Sequence, residues 1–334
     1  MRRTPLAFFV VVVAACGNDS KLNRVEHTDT FYQEATNLVD ILWVVDNSLS
    51  MGDEQEELGN KFDSFISSMT SVDLDWQIAV VTTDMESSDQ SGRIQGQILT
   101  EATENYAQKF YKIVTQVGLE GSDKEAGIDA AYQALSDPLI SSDNAGFLRD
   151  GAKASIIYVS DENDCTSRGA VTTGDGCYSE ADKLVSMSKL IAEYEMIKPE
   201  EDRLIVSAIV GPEVSEGCFG AAPGFRYMTM AEAFGGITAS ICEEDFSGIM
   251  SNLGLQSAGL YTSFKLSYAA AEGTIEVFID DVQIYEDVSE VNGWTYDDTY
   301  QILYFWGASV PDYGATIVVN YEIAGEAVED TAGG

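Results

Sequence analysis

Four near-continuous apolar runs stand along the chain, each separated from the next by a stretch with helical spacing. They are LVDILWVVD from Leu38, WQIAVVTTD from Trp76, ASIIYVSD from Ala154 and RLIVSAIVG from Arg203. Continuous apolar residues are typical of strands buried on both faces. Buried strands that alternate with helices predict an α/β fold, a doubly wound, mostly parallel sheet flanked by helices. This domain is expected over residues 37–258.

Beyond about residue 260, the spacing of apolar residues changes to alternation. TIEVFIDD, YQILYFWG and TIVVNYEI each alternate, and the turn-forming sequences NGW and PDYG lie between them. No helix-length segment intervenes, so a small antiparallel β-sandwich-like module is predicted over residues 259–325, with a disordered tail over 326–334. The aromatic residues Trp294, Tyr296 and Trp306 sit at strand period, which favours packing over an alternative role in glycan binding.

The first sixteen residues are typical of an export signal. MRRTPLAFFVVVVAAC has two arginines, an apolar core too short to span a bilayer, and small residues before Cys16. The last four residues resemble the lipobox of bacterial lipoproteins, which implies a signal peptide over residues 1–15 and acylation of Cys16. An ordinary signal peptide is the alternative. Residues 16–36 are then a flexible tether, and the expected location is the bacterial cell envelope, lipid-anchored at the outer membrane or cell surface.

The number of cysteines agrees with export. The chain has five, and an odd number in an exported protein needs an explanation. If Cys16 carries lipid, four remain and allow three pairings. Pairing Cys165 with Cys177 and Cys218 with Cys242 is the most local choice, and disulfide bonds are expected in an oxidising compartment.

The charge of the chain excludes several classes of partner. The sequence has 18 basic and 56 acidic residues, a formal net charge of −38. Such a field disfavours nucleic acid and anionic membrane surfaces, so contact with a membrane is expected only through the lipid anchor. The single histidine, His27, lies in the predicted tether, which removes most mechanisms that need an imidazole base.

Acidic and hydroxyl side chains follow two of the buried strands. Asp46, Ser48 and Ser50 come where the first apolar run ends, and Asp161 comes where the third run ends. Ligands of open α/β sheets bind beyond the carboxyl ends of the strands, at the point where strand order reverses, so one shared site is predicted. Oxygen ligands of this kind suit hard cations, here Mg²⁺ or else Mn²⁺ or Ca²⁺.

Two further acidic residues, Glu162 and Asp164, are candidate rim residues of this site. Their charges would add to a repulsion that a bound cation relieves. An EF-hand loop running from Asp46 to Glu57 is the competing metal motif. We reject it because the sixth position, which must be glycine, is Met51, and because a strand instead of a helix precedes the loop.

The motif DNSLS at residues 46–50 resembles the Asp-x-Ser-x-Ser start of the metal-ion-dependent adhesion site in von Willebrand factor A-type domains, which include integrin I domains. The family's second loop supplies a threonine five residues before the residue that starts a helix. Counting back from Gly127, that position is Ser122. The third loop usually reads Thr-Asp-Gly, and here Ser160-Asp161-Glu162 keeps only the aspartate. The resemblance covers roughly residues 38–256 and extends to bacterial lipoproteins that carry this domain.

The resemblance implies five metal ligands: Asp46, Ser48, Ser50, Ser122 and Asp161. In the family, the hydroxyls contact the ion directly and the aspartates act largely through waters, which leaves residual positive charge and one open position. A carboxylate from a partner protein can fill that position. For Ser122 a second interpretation stays open, as the N-cap of a capping box with Glu125 in the helix that follows.

These features favour a binding module that grips an acidic protein ligand through the ion and catalyses no reaction. One alternative is a metal-dependent hydrolase, such as a phosphoesterase, that uses the same carboxylates; it needs a nucleophile or base and usually a second metal. The other is a structural scaffold of an envelope assembly, in which the ion only stabilises the fold.

Overall fold

The central sheet has six strands in the order β4-β3-β2-β5-β6-β7. Strands β2, β3, β5, β6 and β7 run parallel to one another, and β4 is an edge strand antiparallel to β3. The prediction of a mostly parallel sheet is therefore confirmed. The strands of this sheet are β2 (Leu38–Val45), β3 (Asp75–Thr82), β4 (Gln95–Thr100), β5 (Lys153–Ser160), β6 (Leu204–Val210) and β7 (Gly235–Ser240).

This computed structural model describes residues 25–33, 37–70, 74–199, 203–214, 218, 220–257, 260–289 and 291–323. The predicted signal peptide, the lipidation site Cys16 and the predicted tail lie outside these residues. Within the described ranges, no helix has both the length and the apolar character needed to cross a bilayer.

Helices cover both faces of the central sheet, which explains why its strands read as continuous apolar runs. Along β2, Ile41 and Trp43 pack into one apolar cluster, while Leu42 and Val44 pack into the cluster on the opposite face. All four side chains are at most 1% exposed. The helices are α1 (Gly52–Asn60), α2 (Phe62–Thr70), α3 (Tyr106–Gln116), α4 (Gly127–Ala134), α5 (Gly174–Ser179), α6 (Met187–Tyr194), α7 (Phe225–Ala233) and α8 (Ser247–Ser257).

A second unit consists of two antiparallel sheets. One has the strand order β1-β13-β9-β10 and the other β11-β12-β8. Side chains from both sheets, among them Phe264, Val277, Leu303 and Ile317, form one shared apolar core. The strands are β1 (Glu26–Tyr32), β8 (Ser263–Lys265), β9 (Glu276–Ile279), β10 (Val282–Ile284), β11 (Gly293–Asp297), β12 (Ile302–Trp306) and β13 (Thr316–Glu322).

The prediction of a flexible tether is wrong for residues 26–32. This segment is β1, and all seven of its residues pair with β13. Its sequence, EHTDTFY, does not look like a buried strand because the residue that faces inward is the charged Asp29. Ser267 and Tyr321 donate hydrogen bonds to the Asp29 carboxylate and make its burial possible. His27 therefore belongs to the β module, where its ring contacts Tyr268. The chain thus enters the β module before it forms the main domain.

Both predicted disulfide bonds are present. Cys165 pairs with Cys177, with Cα atoms 5.2 Å apart, and Cys218 pairs with Cys242 at 5.4 Å. The first bond closes a segment that follows β5, and its two cysteines are buried with Val171 in a small apolar cluster. Closing a loop of this length stabilises a fold by about 3 kcal/mol on the chain-entropy account.

Candidate functional site

The first and third apolar runs end side by side. Val45, the last residue of β2, lies opposite Val159 of the neighbouring strand β5, and the amide of Asp46 donates to the Val159 carbonyl at 2.9 Å. Strand β3 lies on the other side of β2, so strand order reverses at β2. The loops that carry Asp46 and Asp161 therefore meet at the position where open α/β sheets bind ligands.

Asp46 is fully buried and receives few hydrogen bonds. Its Oδ1 accepts from the amide of Ser48 at 2.8 Å, and its Oδ2 accepts from the hydroxyl of Ser160 at 2.6 Å. Burial raises the pKa of Asp46 to about 6, the bonds from Ser160 and Ser48 oppose that rise, and the negative charge of Asp161 adds to it. The loop is rigidly held, because the Gln55 amide donates to the Asp46 carbonyl at 2.9 Å.

The hydroxyls of Ser48 and Ser50 connect Asp46 with Asp161. The two hydroxyl oxygens are 3.2 Å apart, and the Ser50 hydroxyl hydrogen-bonds to the Asp161 carboxylate. Burial raises the pKa of Asp161, and the bond from Ser50 opposes that rise. The residue is 5% exposed, yet its Oδ1 has no hydrogen-bond partner within the described residues. Four of the five predicted ligands thus form one connected group.

The Ser122 hydroxyl makes its hydrogen bonds outside this group. The second loop does touch the first, since the Gly121 amide donates to the Asn47 carbonyl at 2.9 Å and a Cβ on Gly121 would come within 2.4 Å of the Asn47 side chain. One residue later, however, the Ser122 hydroxyl donates to Glu86 at 2.9 Å and accepts from the Lys124 amide at 3.1 Å. The Ser122 hydroxyl is therefore hydrogen-bonded to Glu86.

The capping-box interpretation of Ser122 is wrong. Helix α4 begins at Gly127, and the residue before it provides no side-chain cap. Side chains from the loop after β5 take that role instead: the Ile128 amide donates to Asp164 at 3.0 Å and the Asp129 amide donates to Thr166 at 3.2 Å. The cap is tertiary, so local sequence could not reveal it.

The two predicted rim residues differ in role. Asp164 is buried, accepts hydrogen bonds from Ile128 and Thr166, and forms an ion pair with Arg226 at 3.0 Å. It is therefore a structural residue that holds α4 and α7 to this loop. Glu162 is half-buried, and the negative charge of Asp161 acts on it. Only Glu162 lies at the rim of the site.

Sequence reasoning missed Glu125 as a site residue. Its side chain is 1% exposed, and its Oε1 has no hydrogen-bond partner within the described residues. Burial raises the pKa of Glu125, and the negative charges of Asp46 and Glu162 raise it further. The available signal was its position, two residues before the glycine that begins α4.

The site concentrates negative charge without a neutralising side chain. Asp46, Glu54, Glu125, Asp161 and Glu162 interact unfavourably with one another, and in the part of the chain that the structure describes none of them pairs with a lysine, arginine or histidine. Like charges about 4 Å apart at an effective dielectric constant near 20 repel by roughly 4 kcal/mol. A bound cation would relieve this repulsion.

The donor set fits a hard cation of the Mg²⁺ type. One buried carboxylate oxygen on each of Asp161 and Glu125 has no partner in the part of the chain that the structure describes. The Ser50 hydroxyl bonds to the Asp161 carboxylate and lies 3.2 Å from the Ser48 hydroxyl. Among the described residues, no three acidic, cysteine or histidine side chains are arranged to hold one ion together. A site whose direct protein ligands are mainly hydroxyls, with carboxylates acting through waters, does not require such a group.

The aromatic residues of the β module take part in packing. The Trp294 ring nitrogen donates to the Ile284 carbonyl at 2.9 Å, and the Trp306 ring nitrogen donates to Thr295 at 2.9 Å. The Tyr296 hydroxyl accepts from the Ala270 amide at 3.1 Å. Each aromatic polar atom is thus used within the module, as the strand period predicted.

No family model and no curated protein matches this chain. Solved structures that resemble it in part include the pilus adhesin SpaC from Lactobacillus rhamnosus GG in its open conformation, with 10% identity and a TM-score of 0.46 over 89% of this chain and 40% of SpaC. The pilus adhesin RrgA from Streptococcus pneumoniae has 9% identity and a TM-score of 0.36 over 90% of this chain and 58% of RrgA.

The adhesive tip pilin GBS104 from Group B Streptococcus agalactiae is a further partial match, with 13% identity and a TM-score of 0.34 over 92% of this chain and 83% of GBS104. This chain spans less than two thirds of SpaC and of RrgA. Likeness at these identities and TM-scores carries no argument about function, which has to come from the site itself.

Proposed function

We propose that this protein is a lipid-anchored binding protein of the bacterial cell envelope. Its main domain is of the von Willebrand factor A type. This domain binds an acidic group of a partner protein through a divalent cation, Mg²⁺ or else Mn²⁺ or Ca²⁺. The observation that carries the proposal is the connected group of Asp46, Ser48, Ser50 and Asp161, with a buried Asp161 oxygen left without a partner in the described residues.

Each side chain has a distinct role in this proposal. The hydroxyls of Ser48 and Ser50 would hold the ion, and Ser50 is the more exposed of the two. Asp46 and Asp161 would supply the negative charge that retains it. When bound, the ion supplies a positive charge and an open position for a partner's carboxylate oxygen.

The net negative charge of the chain affects the rate at which an acidic partner would approach the site. A formal net charge of −38 repels acidic ligands over long distances at low ionic strength. Added salt screens that repulsion, with a Debye length of about 8 Å at physiological ionic strength. Recognition is therefore expected to be short-ranged and to strengthen as salt rises from very low values.

A binding role explains the site better than the hydrolase alternative. The only histidine, His27, is held in the β module by a contact with Asp29 at 3.2 Å, and the residues described at the site include no lysine or arginine paired with its carboxylates. A hydrolase would need one of the acidic residues or a water chain as base.

The test uses a soluble version of the chain that starts after Cys16. Pull-downs are run in Mg²⁺, in EDTA, and in Mg²⁺ with Asp46→Ala, and Asp63→Ala on the exposed side of α2 is the matched control. We expect the same captured partners with wild type and Asp63→Ala in Mg²⁺, and their loss in EDTA and with Asp46→Ala. Identical partners under all conditions would contradict the proposal.

Two parallel measurements separate the alternatives. Circular dichroism in EDTA reports the fold, and unfolding on chelation would favour the scaffold interpretation. Turnover of p-nitrophenyl phosphate with Mg²⁺ or Mn²⁺ that Asp46→Ala abolishes would favour the hydrolase.

A further inference from the structure

The loop that carries Glu125 is fixed by contacts with both neighbouring loops of the site. The Glu125 carbonyl accepts from the Cys165 amide at 2.7 Å, and the amide of the next residue, Ala126, donates to the Thr83 carbonyl at 3.0 Å. Cys165 is itself held by its disulfide bond to Cys177. The backbone is therefore fixed at these two points, the Glu125 side chain is buried, and the negative charges of Asp46 and Glu162 act on it.

The Glu125 carboxyl group lacks a hydrogen-bond partner for one of its two oxygens within the described residues. Glu125 makes a side-chain hydrogen bond with Glu162, which two carboxyl groups can form only by sharing a proton. Its other oxygen, Oε1, is buried and has no partner within the described residues. A buried carboxyl oxygen that lacks a partner is destabilising, and a buried carboxylate is stable only when it is paired or close to a cation.

The serine of the same loop cannot easily serve in its place. Ser122 is committed to Glu86, which also receives a hydrogen bond from Lys124. Moving the Ser122 hydroxyl toward Asp46 would break its bonds to Glu86 and to the Lys124 amide. Glu125, in contrast, is buried, is hydrogen-bonded to Glu162 at the rim of the site, and has an Oε1 without a partner within the described residues.

We propose that Glu125, and not Ser122, is the residue through which the second loop supports the ion, its carboxylate accepting a hydrogen bond from a water in the coordination shell. This inference rests on the proposed function. With Asp46 and Asp161, Glu125 brings three carboxylates to the site instead of the two that the sequence motif predicts. The ion is then held more tightly by the protein alone, and its residual attraction for a partner's carboxylate is smaller.

The test is a titration of the soluble chain with MnCl₂ by isothermal titration calorimetry, with thermal unfolding as a second measurement. Glu125→Gln keeps the size of the side chain and removes its charge, and Ser122→Ala is the matched control from the same loop. We expect Glu125→Gln to weaken Mn²⁺ binding at least tenfold and Ser122→Ala to change it less than twofold. Glu125→Asp, which keeps the charge, should bind Mn²⁺ more tightly than Glu125→Gln.

The outcomes distinguish this inference from the proposed function. Asp46→Asn should abolish Mn²⁺ binding whichever residue of the second loop supports the ion. If Glu125→Gln and Glu125→Asp bind Mn²⁺ as wild type does, while Ser122→Ala weakens it, the inference is overturned and the proposed function stands. If wild type itself binds neither Mn²⁺ nor Mg²⁺, both fail. In EDTA, Glu125→Gln should be at least as stable as wild type, because the variant removes charge repulsion and can still donate to Glu162.

Discussion

Two buried aspartates, one in each unit of the molecule, show how differently the protein treats a carboxylate. Asp29 in the β module is 7% exposed and accepts hydrogen bonds from the Ser267 amide, the Ser267 hydroxyl and the Tyr321 hydroxyl. Although burial acts to raise its pKa, these bonds together hold the pKa below its ordinary value. Asp46 in the main domain is 0% exposed, has fewer donors, and its pKa rises to about 6.

On the proposed function, the difference separates a structural carboxylate from one that takes part in ligand binding. Asp29 obtains from its own chain everything that stabilises its charge. The negative charge of Asp161 acts on Asp46, and Asp161 also has an oxygen without a partner in the described residues. Carboxylates with strongly perturbed pKa values cluster at functional sites, which supports the proposed role of Asp46.

The largest expected effect is a pH dependence of opposite sign for the two aspartates. The ordinary aspartate pKa is 3.8, and that of folded Asp46 is about 6. In EDTA its favourable contribution is therefore fully present below about pH 4 and is lost as pH rises to about 6, a change of up to about 3 kcal/mol in the free energy of unfolding. For Asp29, whose folded pKa is lowered, stability is present above about pH 4 and is lost as pH falls through the folded pKa.

Urea denaturation in EDTA across pH 4 to 7.5 measures this dependence. The curve of wild type minus Asp46→Asn should fall between pH 4 and 6, whereas Asp63→Asn, an exposed control on α2, should run parallel to wild type. A difference curve for Asp46→Asn that does not change with pH would mean that the fold stabilises the charge of Asp46 as well as that of Asp29. That result would contradict the contrast between the two aspartates.

A smaller effect is expected from removing the structural carboxylate itself. Asp29→Ala should lower the free energy of unfolding by about 2 kcal/mol at pH 7, because the buried Tyr321 hydroxyl loses its acceptor and Ser267 loses two hydrogen bonds. Thermal or urea denaturation measures the change, and Thr28→Ala, an exposed neighbour on the same strand, is the control.

Binding of Mn²⁺ should be unchanged in Asp29→Ala, since the residue lies in the β module. If Asp29→Ala lost Mn²⁺ binding as well as stability, Asp29 would not be a purely structural carboxylate, and the contrast with Asp46 would be contradicted.

The same contrast explains what the sequence could and could not predict. Strand β2 was predictable because helices cover both of its faces, so Ile41, Leu42, Trp43 and Val44 are all apolar. Strand β1 was not, because its buried residue is a charged one. Asp29 is acceptable there only because Ser267 and Tyr321, more than 230 positions away, provide donors.

Within the site, the residues that follow strands were predictable and the second loop was not. Asp46 and Asp161 each come directly after a recognisable buried strand, so topology alone brings them together. The direction of the second loop depends on hydrogen bonds to Thr83 and Cys165, which belong to other loops. Local spacing therefore pointed to Ser122, whereas the fold turns Glu125 inward.

The smallest expected effect concerns the hydroxyl of Ser160, which donates a hydrogen bond to Asp46. Ser160 is fully buried and its hydroxyl lies 2.6 Å from Asp46 Oδ2. Ser160→Ala should cost about 1.5 kcal/mol above pH 6, where Asp46 is charged, because a hydrogen bond to a charged acceptor is lost. The matched control is Ser155→Ala on the same strand, a buried serine whose hydroxyl bonds at 2.8 Å to Ser257.

We expect the stability of the two serine variants to depend differently on pH. Since the Ser160 hydroxyl stabilises the charged form of Asp46, its removal should shift the pH at which stability falls in EDTA to a higher value. Ser155→Ala should cost a similar amount at every pH and leave that transition where it is in wild type. If Ser160→Ala behaves as Ser155→Ala does, the hydroxyl does not act on the charge of Asp46, and the poor stabilisation of that carboxylate has another origin.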